Sequence, residues 1–304
     1  MHLSLMKDSE TPRPVFVTGS YRSGTSILTW ALGAHPHFHP LEETGWLAQY
    51  GTGALAGYDL VLDTPRNFFD VYGVSRSEFG AQVGAAIDAF MMRVSANGMP
   101  STERRRWVDG TPENTKHVLL LRQLFPEAKF VFLVRNPKDT VASLVHFDRA
   151  GGAARSISAA ARAWSSLTHR GLLAYRAFGP DVVKIVLYAD LLDEPAATLK
   201  GIFEFLGDDS APEAEAMMQQ RINSSNVTSE EREAVHRRID RSGWGKRLRR
   251  QYDEVLSVMA APWSRDEEAL LELESLQPLP TRVLASGQFA PLRWVLARIR
   301  ERIK

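Results

Sequence analysis

The residues best equipped for chemistry lie in one short run, Gly19-Ser20-Tyr21-Arg22-Ser23-Gly24-Thr25-Ser26. The apolar stretch Pro14–Thr18 leads into it, and a helical pattern starts at once behind it, in Ile27-Leu28-Thr29-Trp30-Ala31-Leu32. Strand, glycine-bounded turn and helix N-terminus in that order make a phosphate cradle, because unpaired backbone N–H groups and the positive end of the helix dipole face an anion. The run is almost a P-loop, G-x-x-x-x-G-K-[ST], but Thr25 stands in the lysine position and the only cation is Arg22. An anion cradle without the lysine that serves a γ-phosphate points to a nucleotide carrying some other transferable group. The same residues also fit an ordinary strand-to-helix turn in which Thr25 or Ser26 caps the helix.

A second group follows the apolar run Lys129–Val134. Arg135 falls at its end, Pro137 suits a first helical turn, and Ser143 lies about two turns into that helix, where it can face the same anion. A third is the adjacent pair Glu42-Glu43; a carboxylate there can take the proton of an attacking hydroxyl, or the pair is a solvated loop. His35, His37 and His39 alternate, which on extended chain puts three imidazoles on one face, as a zinc site needs. With no accompanying carboxylate identifiable, turn-forming and pocket-lining roles suit them better, and no metal is expected. His117 and His146 are reserve bases on helix faces.

These groups need elements to position them. Pro14–Thr18, Arg106–Asp109, Lys129–Val134 and Val182–Tyr188 read as strands, the longer ones apolar nearly throughout, as in a parallel sheet covered on both faces. Helical patterns separate them at Ser26–Ala34, Ser77–Ala96, Glu113–Phe125, Pro137–Asp148 and Ser156–Phe178. Beyond Tyr188 the chain reads mostly as helix: Ala196–Leu206, Ser229–Arg241, Lys246–Met259 and Asp266–Leu276. Gly51–Gly57 and Arg93–Arg106 are the expected mobile loops. The fold class is therefore α/β, a three-layer parallel sheet with a P-loop-like loop and a helical C-terminal portion. The polar clusters Gly19–Ser26, Asp109–Asn114, Arg135–Asp139 and Tyr188–Asp190 each follow a strand, so they should meet along the carboxyl edge of the sheet.

Bulk properties narrow the function further. With 304 residues, 44% hydrophobic, the chain can build one large domain. Expected divisions are a flexible N-terminus at 1–13, the main domain at 14–280 and a basic amphipathic tail at 281–304. A net charge of +1 gives no global field that would select nucleic acid. The absence of cysteine excludes disulfides, thiolate metal sites and cysteine nucleophiles. Met1–Arg13 has no apolar core of a secretory signal, and no run approaches a membrane span, so a cytoplasmic protein is expected.

Taken together, Tyr21-Arg22-Ser23-Gly24-Thr25-Ser26 and the Arg135/Ser143 pair resemble the motifs of the PAPS-dependent sulfotransferases, where PAPS is 3′-phosphoadenylyl sulfate. Phe125-Pro126-Glu127-Ala128-Lys129-Phe130 is also similar to that family, and the likeness runs from Val15 to about Leu206. It implies that Arg22, Ser23, Gly24, Thr25 and Ser26 hold the 5′-phosphosulfate, that Arg135 and Ser143 hold the 3′-phosphate, and that no metal is required. Arg22 would also stabilise leaving-group charge. Ala34-His35-Pro36 leading to Glu42-Glu43-Thr44 is most similar to the tyrosylprotein branch, which implies Glu43 rather than Glu42 as general base. Tyr188, in Tyr-Ala-Asp-Leu-Leu, would lie near the nucleotide, and Asn223–Asn226 with Trp244-Gly245-Lys246 would close over the adenine and 3′-phosphate, Lys246 adding a cation.

The chain departs from the family in two places. A family lysine is Gly110 here, which leaves the leaving-group charge to Arg22 or to Lys116 or Arg104–Arg106. A further arginine of the tyrosylprotein branch is Phe147. The acceptor would be a hydroxyl compound of unspecified class, and a homodimer is compatible with the chain. Leu292, Trp294, Val295, Ile299 and Ile303 among five cations in 291–304 suit packing on the domain or peripheral membrane contact. A P-loop kinase and a non-catalytic nucleotide-binding protein are the competing functions.

Overall fold

The computed structural model describes residues 13–62, 64–96, 106–147, 156–219 and 227–277. Five strands form one parallel sheet in the order β2-β3-β1-β4-β5: β1 Val15–Gly19, β2 Phe38–Leu41, β3 Arg106–Asp109, β4 Lys129–Val134 and β5 Val183–Leu187. The first helices are α1 Thr25–Gly33, α2 Leu47–Leu62, α3 Phe68–Tyr72 and α4 Arg76–Ala96. A 3-10 turn, Pro112–Lys116, precedes α5 Val118–Leu124. Then come α6 Pro137–Val145, α7 Ile157–Phe178, α8 Tyr188–Asp193, α9 Pro195–Leu206 and α10 Pro212–Met218. The last described helices are α11 Ser229–Asp240, α12 Trp244–Ala260 and α13 Glu267–Ser275.

Strand side chains alternate between faces, and the sequence uses the alternation to build two cores. Phe16, Trp107, Phe130 and Phe132 enter the larger one, with buried residues from α2, α4, α5 and α7. Val15, Val17, Val131 and Leu133 enter the other, with Leu28 and Leu32 of α1 and Ile202 and Phe203 of α9. The central strands thus turn most of their aromatic side chains to one layer and most of their valines to the other. Covered on both faces, the strands carry apolar residues at consecutive positions. The sheet turns about β1, which lies between β3 and β4. The crevice for a ligand in such a sheet opens beyond the carboxyl end of that strand.

Several sequence expectations are corrected. Gly51–Gly57 is no loop: it is the middle of α2, and Gly51 lets that helix approach α5, since a Cβ there would sit 2.5 Å from Leu124 Cδ1. Glu113–Phe125 is not one helix but the 3-10 turn and α5, joined through His117. In Arg93–Arg106 the first residues belong to α4 and Arg106 to β3, while 97–105 lie outside the described residues. β2 escaped sequence reading because it is four residues long and holds Pro40, which an edge strand tolerates. Tyr188 does not end β5; it opens α8.

Candidate active site

The turn after β1 folds back on itself. Ser23 donates to the Ser20 carbonyl through both its N–H (3.2 Å) and its hydroxyl (2.6 Å). The Gly19 N–H donates to Thr115 Oγ1 at 2.8 Å, and that hydroxyl donates to the Gly19 carbonyl at 3.1 Å, so the 3-10 turn braces the base of the loop. Gly19 admits no side chain, because a Cβ would lie 2.5 Å from the Leu133 carbonyl. Gly24 has φ +102° and is the N-cap of α1, with no side-chain cap. Thr25 lies inside the helix, and its carbonyl accepts the Thr29 hydroxyl at 2.9 Å. The alternative in which Thr25 or Ser26 caps α1 is therefore ruled out, and the helix keeps an N-terminus suited to an anion. Ser20 Oγ, buried in the same loop, has no hydrogen-bond partner among the described residues.

Arg22 adopts φ +64°, in the left-handed region that is uncommon for a residue with a Cβ and is found at functional sites. Its Nε donates to Ser143 Oγ at 3.2 Å, and its guanidinium lies 4.3 Å from the centre of the Phe147 ring. Arg135 Nη1 donates to the Arg22 carbonyl at 3.1 Å, and its guanidinium stacks 4.7 Å from the Tyr188 ring. That ring in turn lies against Gly24, 2.5 Å from where a Cβ would sit. Arg22, Gly24, Arg135, Ser143 and Tyr188 are thus brought into one basic pocket beside the helix N-terminus. Burial first, and then Arg135, lower the pKa of Arg22, so an anion between the two guanidinium groups would relieve their repulsion. In this state Arg22 reaches toward Ser143, away from the acidic side of the cleft.

Glu43 belongs to that acidic side. Although Glu43 is exposed at its surface, partial desolvation, then the carboxylates of Glu113, Asp109 and Glu42, raise its pKa above the ordinary carboxylate range. The Tyr21 hydroxyl donates to Glu113 Oε1 at 2.6 Å, and burial together with Glu113 and Glu43 keeps that phenol protonated. Tyr21 and Arg22 are neighbours, so one peptide unit separates the acidic half of the site from the basic half. The Glu43 segment is clamped by Asp109. The carboxylate of that buried residue accepts the Thr44 hydroxyl, the Thr111 N–H (2.9 Å) and hydroxyl (2.6 Å), and Asn114 Nδ2 (2.8 Å). The Thr44 N–H donates to Thr111 Oγ1 at 2.8 Å.

Other sequence candidates fall elsewhere. Lys246 is exposed in the first turn of α12. Arg106 is not near the loop: it starts β3 at the opposite edge of the sheet, where it pairs with Asp208 and donates to the Leu206 carbonyl at 2.8 Å. Lys116 does stay close, its Nζ 6.0 Å from the Tyr21 ring centre. Gly110 has no room for a lysine, because a Cβ would collide with the Thr29 hydroxyl. His117 is half-buried and its pKa falls to about 4, chiefly through desolvation, which leaves it neutral. His146 Nδ1 lies 2.9 Å from the Ala142 carbonyl on its own helix. Asn223–Asn226 and the tail at 291–304 lie outside the described residues.

The histidine series splits. His37 Nδ1 meets Asp208 at 2.8 Å, a carboxylate the sequence did not reveal, and His35 meets His37 edge to face at 4.8 Å, whereas His39 lies outside that cluster. His35 Nδ1 accepts the His37 N–H at 3.1 Å and its ring also bonds the Asp209 backbone, so both its nitrogens are used. With Arg106 on the same carboxylate, the group serves as an ion-pair tether between β2, β3 and the end of α9.

Sequence reading gave no individual role to Tyr21, Asp109 or Glu113, although it placed them in polar clusters at the sheet edge, and it missed Thr44, Thr115 and the contact of Phe147. The compact polar string Asp109-Gly110-Thr111-Pro112-Glu113-Asn114-Thr115 directly after a strand was the available signal for most of them. Phe147 carried none, since its role appears only where Arg22 crosses it.

A phosphate-cradling turn at the switch point of a parallel sheet, with two arginines and a serine converging on it, defines a binding fold for a phosphorylated nucleotide. The Sulfotransferase family model matches residues 14–212. The chain belongs to that family, whose chemistry is sulfuryl transfer. It is 25% identical over 218 residues to "Protein-tyrosine sulfotransferase A" of Caenorhabditis elegans, covering 70% of this chain and 55% of that protein. It is 29% identical over 132 residues to an uncharacterized protein of Aquifex aeolicus, covering 43% of this chain and 16% of that one. The chain thus spans about half or less of these relatives' lengths. The solved sulfotransferase domain from the curacin biosynthetic pathway superposes with TM-score 0.50 at 16% identity, over 85% of this chain and all of that one, which shows a shared fold. Among the described residues no helix is long and apolar enough to cross a membrane.

Proposed function

We propose that the protein is a PAPS-dependent O-sulfotransferase in which Glu43 is the general base. The observation that carries this is the joining of Arg22, Arg135 and Ser143 into one pocket at the uncapped N-terminus of α1. The residues present fit the donor: Gly19 and Gly24 leave space that a Cβ would fill, and Ser20 Oγ is a buried polar atom in want of a partner. When bound, PAPS supplies an activated sulfuryl group on a phosphate leaving group.

The backbone of residues 22–26 and the α1 dipole would hold its 5′ end, and Arg135 with Ser143 its 3′-phosphate. Arg22 lies within reach of both ends, so a turn of its side chain from Ser143 toward the loop would bring positive charge to the leaving oxygen. Tyr188 holds the Arg135 plane by stacking. Across the Tyr21–Arg22 peptide, Glu43 takes the proton of the acceptor hydroxyl; its raised pKa makes it a stronger base than an ordinary glutamate. Lys116 is the cation beside Tyr21 that would complement Arg22.

A P-loop kinase fits less well, because buried Thr25 holds the lysine position. Thermal shift separates the two: 3′,5′-ADP at a hundredfold its Kd should stabilise the protein by about 2.7 kcal/mol. Mg-ATP should do little. Stabilisation by Mg-ATP alone would sink the sulfotransferase assignment.

A further inference from the structure

Exposed aromatic side chains gather at one end of the α2–α4 pair. Trp46, just before α2, is 43% exposed, Tyr50 in its first turn 59%, and Phe90 on α4 54%. Trp46 meets Tyr50 and Phe90 at the same centroid distance, 6.2 Å, edge to face. Rings of this size carry roughly 150–250 Å² each, so about 300 Å² of aromatic surface stays open. That is too small for a stable protein partner, which needs about 800 Å² per side, but it suits a small ring-bearing molecule.

The helices decide where this shelf stands. They run antiparallel: Tyr58 packs on Phe79 at 5.4 Å and Leu55 lies beside Gly80, while at the other end Trp46 meets Phe90. Trp46 follows Glu43 by less than one helical turn of chain. The residue between Glu43 and Gly45 is Thr44, which Asp109 and Thr111 pin to the carboxyl edge of the sheet. The shelf therefore adjoins Glu43 along the chain, next to the pinned Thr44. The other exposed cluster, Phe68, Val71 and Tyr72, lies on α3, which joins the opposite ends of α2 and α4.

We infer that Trp46, Tyr50 and Phe90 form the platform for the acceptor, and that the acceptor hydroxyl is carried on a flat ring system that stacks there. Rigid aromatic edges and faces complement a planar ring. An open shelf does not enclose a flexible chain. The inference rests on Glu43 being the base of the proposed sulfotransferase.

The test uses the full-length protein, labelled PAPS, and two probe alcohols of comparable hydrophobicity, 2-naphthol (flat) and 1-octanol (linear). Wild-type protein should turn over 2-naphthol in preference to octanol. Trp46→Ala and Phe90→Ala should each lower kcat/KM for 2-naphthol by about tenfold, mainly through KM, while Trp46→Phe retains most of it. Affinity for 3′,5′-ADP should stay at the wild-type value, and Tm should fall only slightly, because about half of each side chain is exposed. Unchanged 2-naphthol kinetics in the alanine variants, equal losses for both alcohols, or no turnover of 2-naphthol while 3′,5′-ADP binds would overturn the shelf. Failure of 3′,5′-ADP to bind at all would instead remove the sulfotransferase assignment on which the shelf depends.

Discussion

Asp109→Asn tests the clamp that places Glu43. The carboxylate accepts four hydrogen bonds, two on each oxygen: Thr111 N–H and O–H on Oδ1, Asn114 Nδ2 and the Thr44 hydroxyl on Oδ2. An amide can replace only one oxygen. Put at Oδ1, it would orphan a backbone N–H, so the cheaper orientation puts it at Oδ2. There the Thr44 hydroxyl can rotate and accept, but the Asn114 amide loses its acceptor. One buried donor left unpaired costs roughly 1–3 kcal/mol, and the surviving bonds weaken because the acceptor is no longer charged. Loss of a buried charge offsets part of this. The net destabilisation is about 2 kcal/mol, or a Tm lower by roughly 4–8 °C. Turnover should fall further, about a hundredfold, because Glu43 loses its fixed position, while 3′,5′-ADP affinity holds. Calorimetry on Asp109→Asn, Thr44→Val and the double variant measures the first part. The two substitutions share a bond, so the double variant should lose less than the sum. A Tm within about 1 °C of wild type, or strict additivity, would refute the clamp.

Two other predictions follow from the same geometry. Glu43→Gln should cut turnover by roughly 10²–10⁴ with 3′,5′-ADP affinity unchanged, and the wild-type kcat/KM should fall as pH drops through a pKa above the ordinary glutamate range. The stability sign is opposite to that of a salt-bridged acid: Glu43 titrates higher in the folded state, so its contribution is present below about pH 4.3 and lost as pH rises through the folded pKa. Because Glu43 is exposed at its surface, the effect is screened: Glu43→Gln should raise Tm at pH 7 only slightly and lose that advantage near pH 4, and a lower Tm at pH 7 would contradict the raised pKa. At Gly110 the expected result concerns packing rather than charge. Gly110→Lys and Gly110→Ala should each destabilise by about 1–3 kcal/mol through collision with Thr29, and Thr29→Ala should restore part of the loss in calorimetry; unaltered Tm in both single variants would show that the space exists.

Local features were legible wherever a short segment carries its own physical instruction. The long strands showed as nearly continuous apolar runs because both faces are covered. The loop after β1 showed because glycines at a strand-to-helix junction have few other uses. Pro137 marked the start of α6, and Asn136 caps it by accepting the Lys138 N–H at 3.0 Å. Where local signals conflicted, sequence reading failed. The glycines of residues 51–57 signal a loop by propensity, but α2 needs Gly51 for its approach to α5, and packing overrides propensity there. Pro40 hid β2, although at a sheet edge its missing N–H costs nothing.

From residue types and spacing came the parallel α/β class and the candidates Arg22, Arg135, Ser143 and the Glu42-Glu43 pair, while the resemblance to the sulfotransferase motifs joined them into one site and chose Glu43. Tertiary structure decided what each of them faces. It turned Arg22 onto Ser143 and Phe147, set Tyr188 between Gly24 and Arg135, and sent Arg106 to the far edge of the sheet. It also gave Glu43 its acidic neighbours. The reason is one of range. Helix and strand patterns are written in neighbours a few positions apart, whereas an ion pair or a stack joins residues about a hundred positions apart, and only the strand order β2-β3-β1-β4-β5 brings those together.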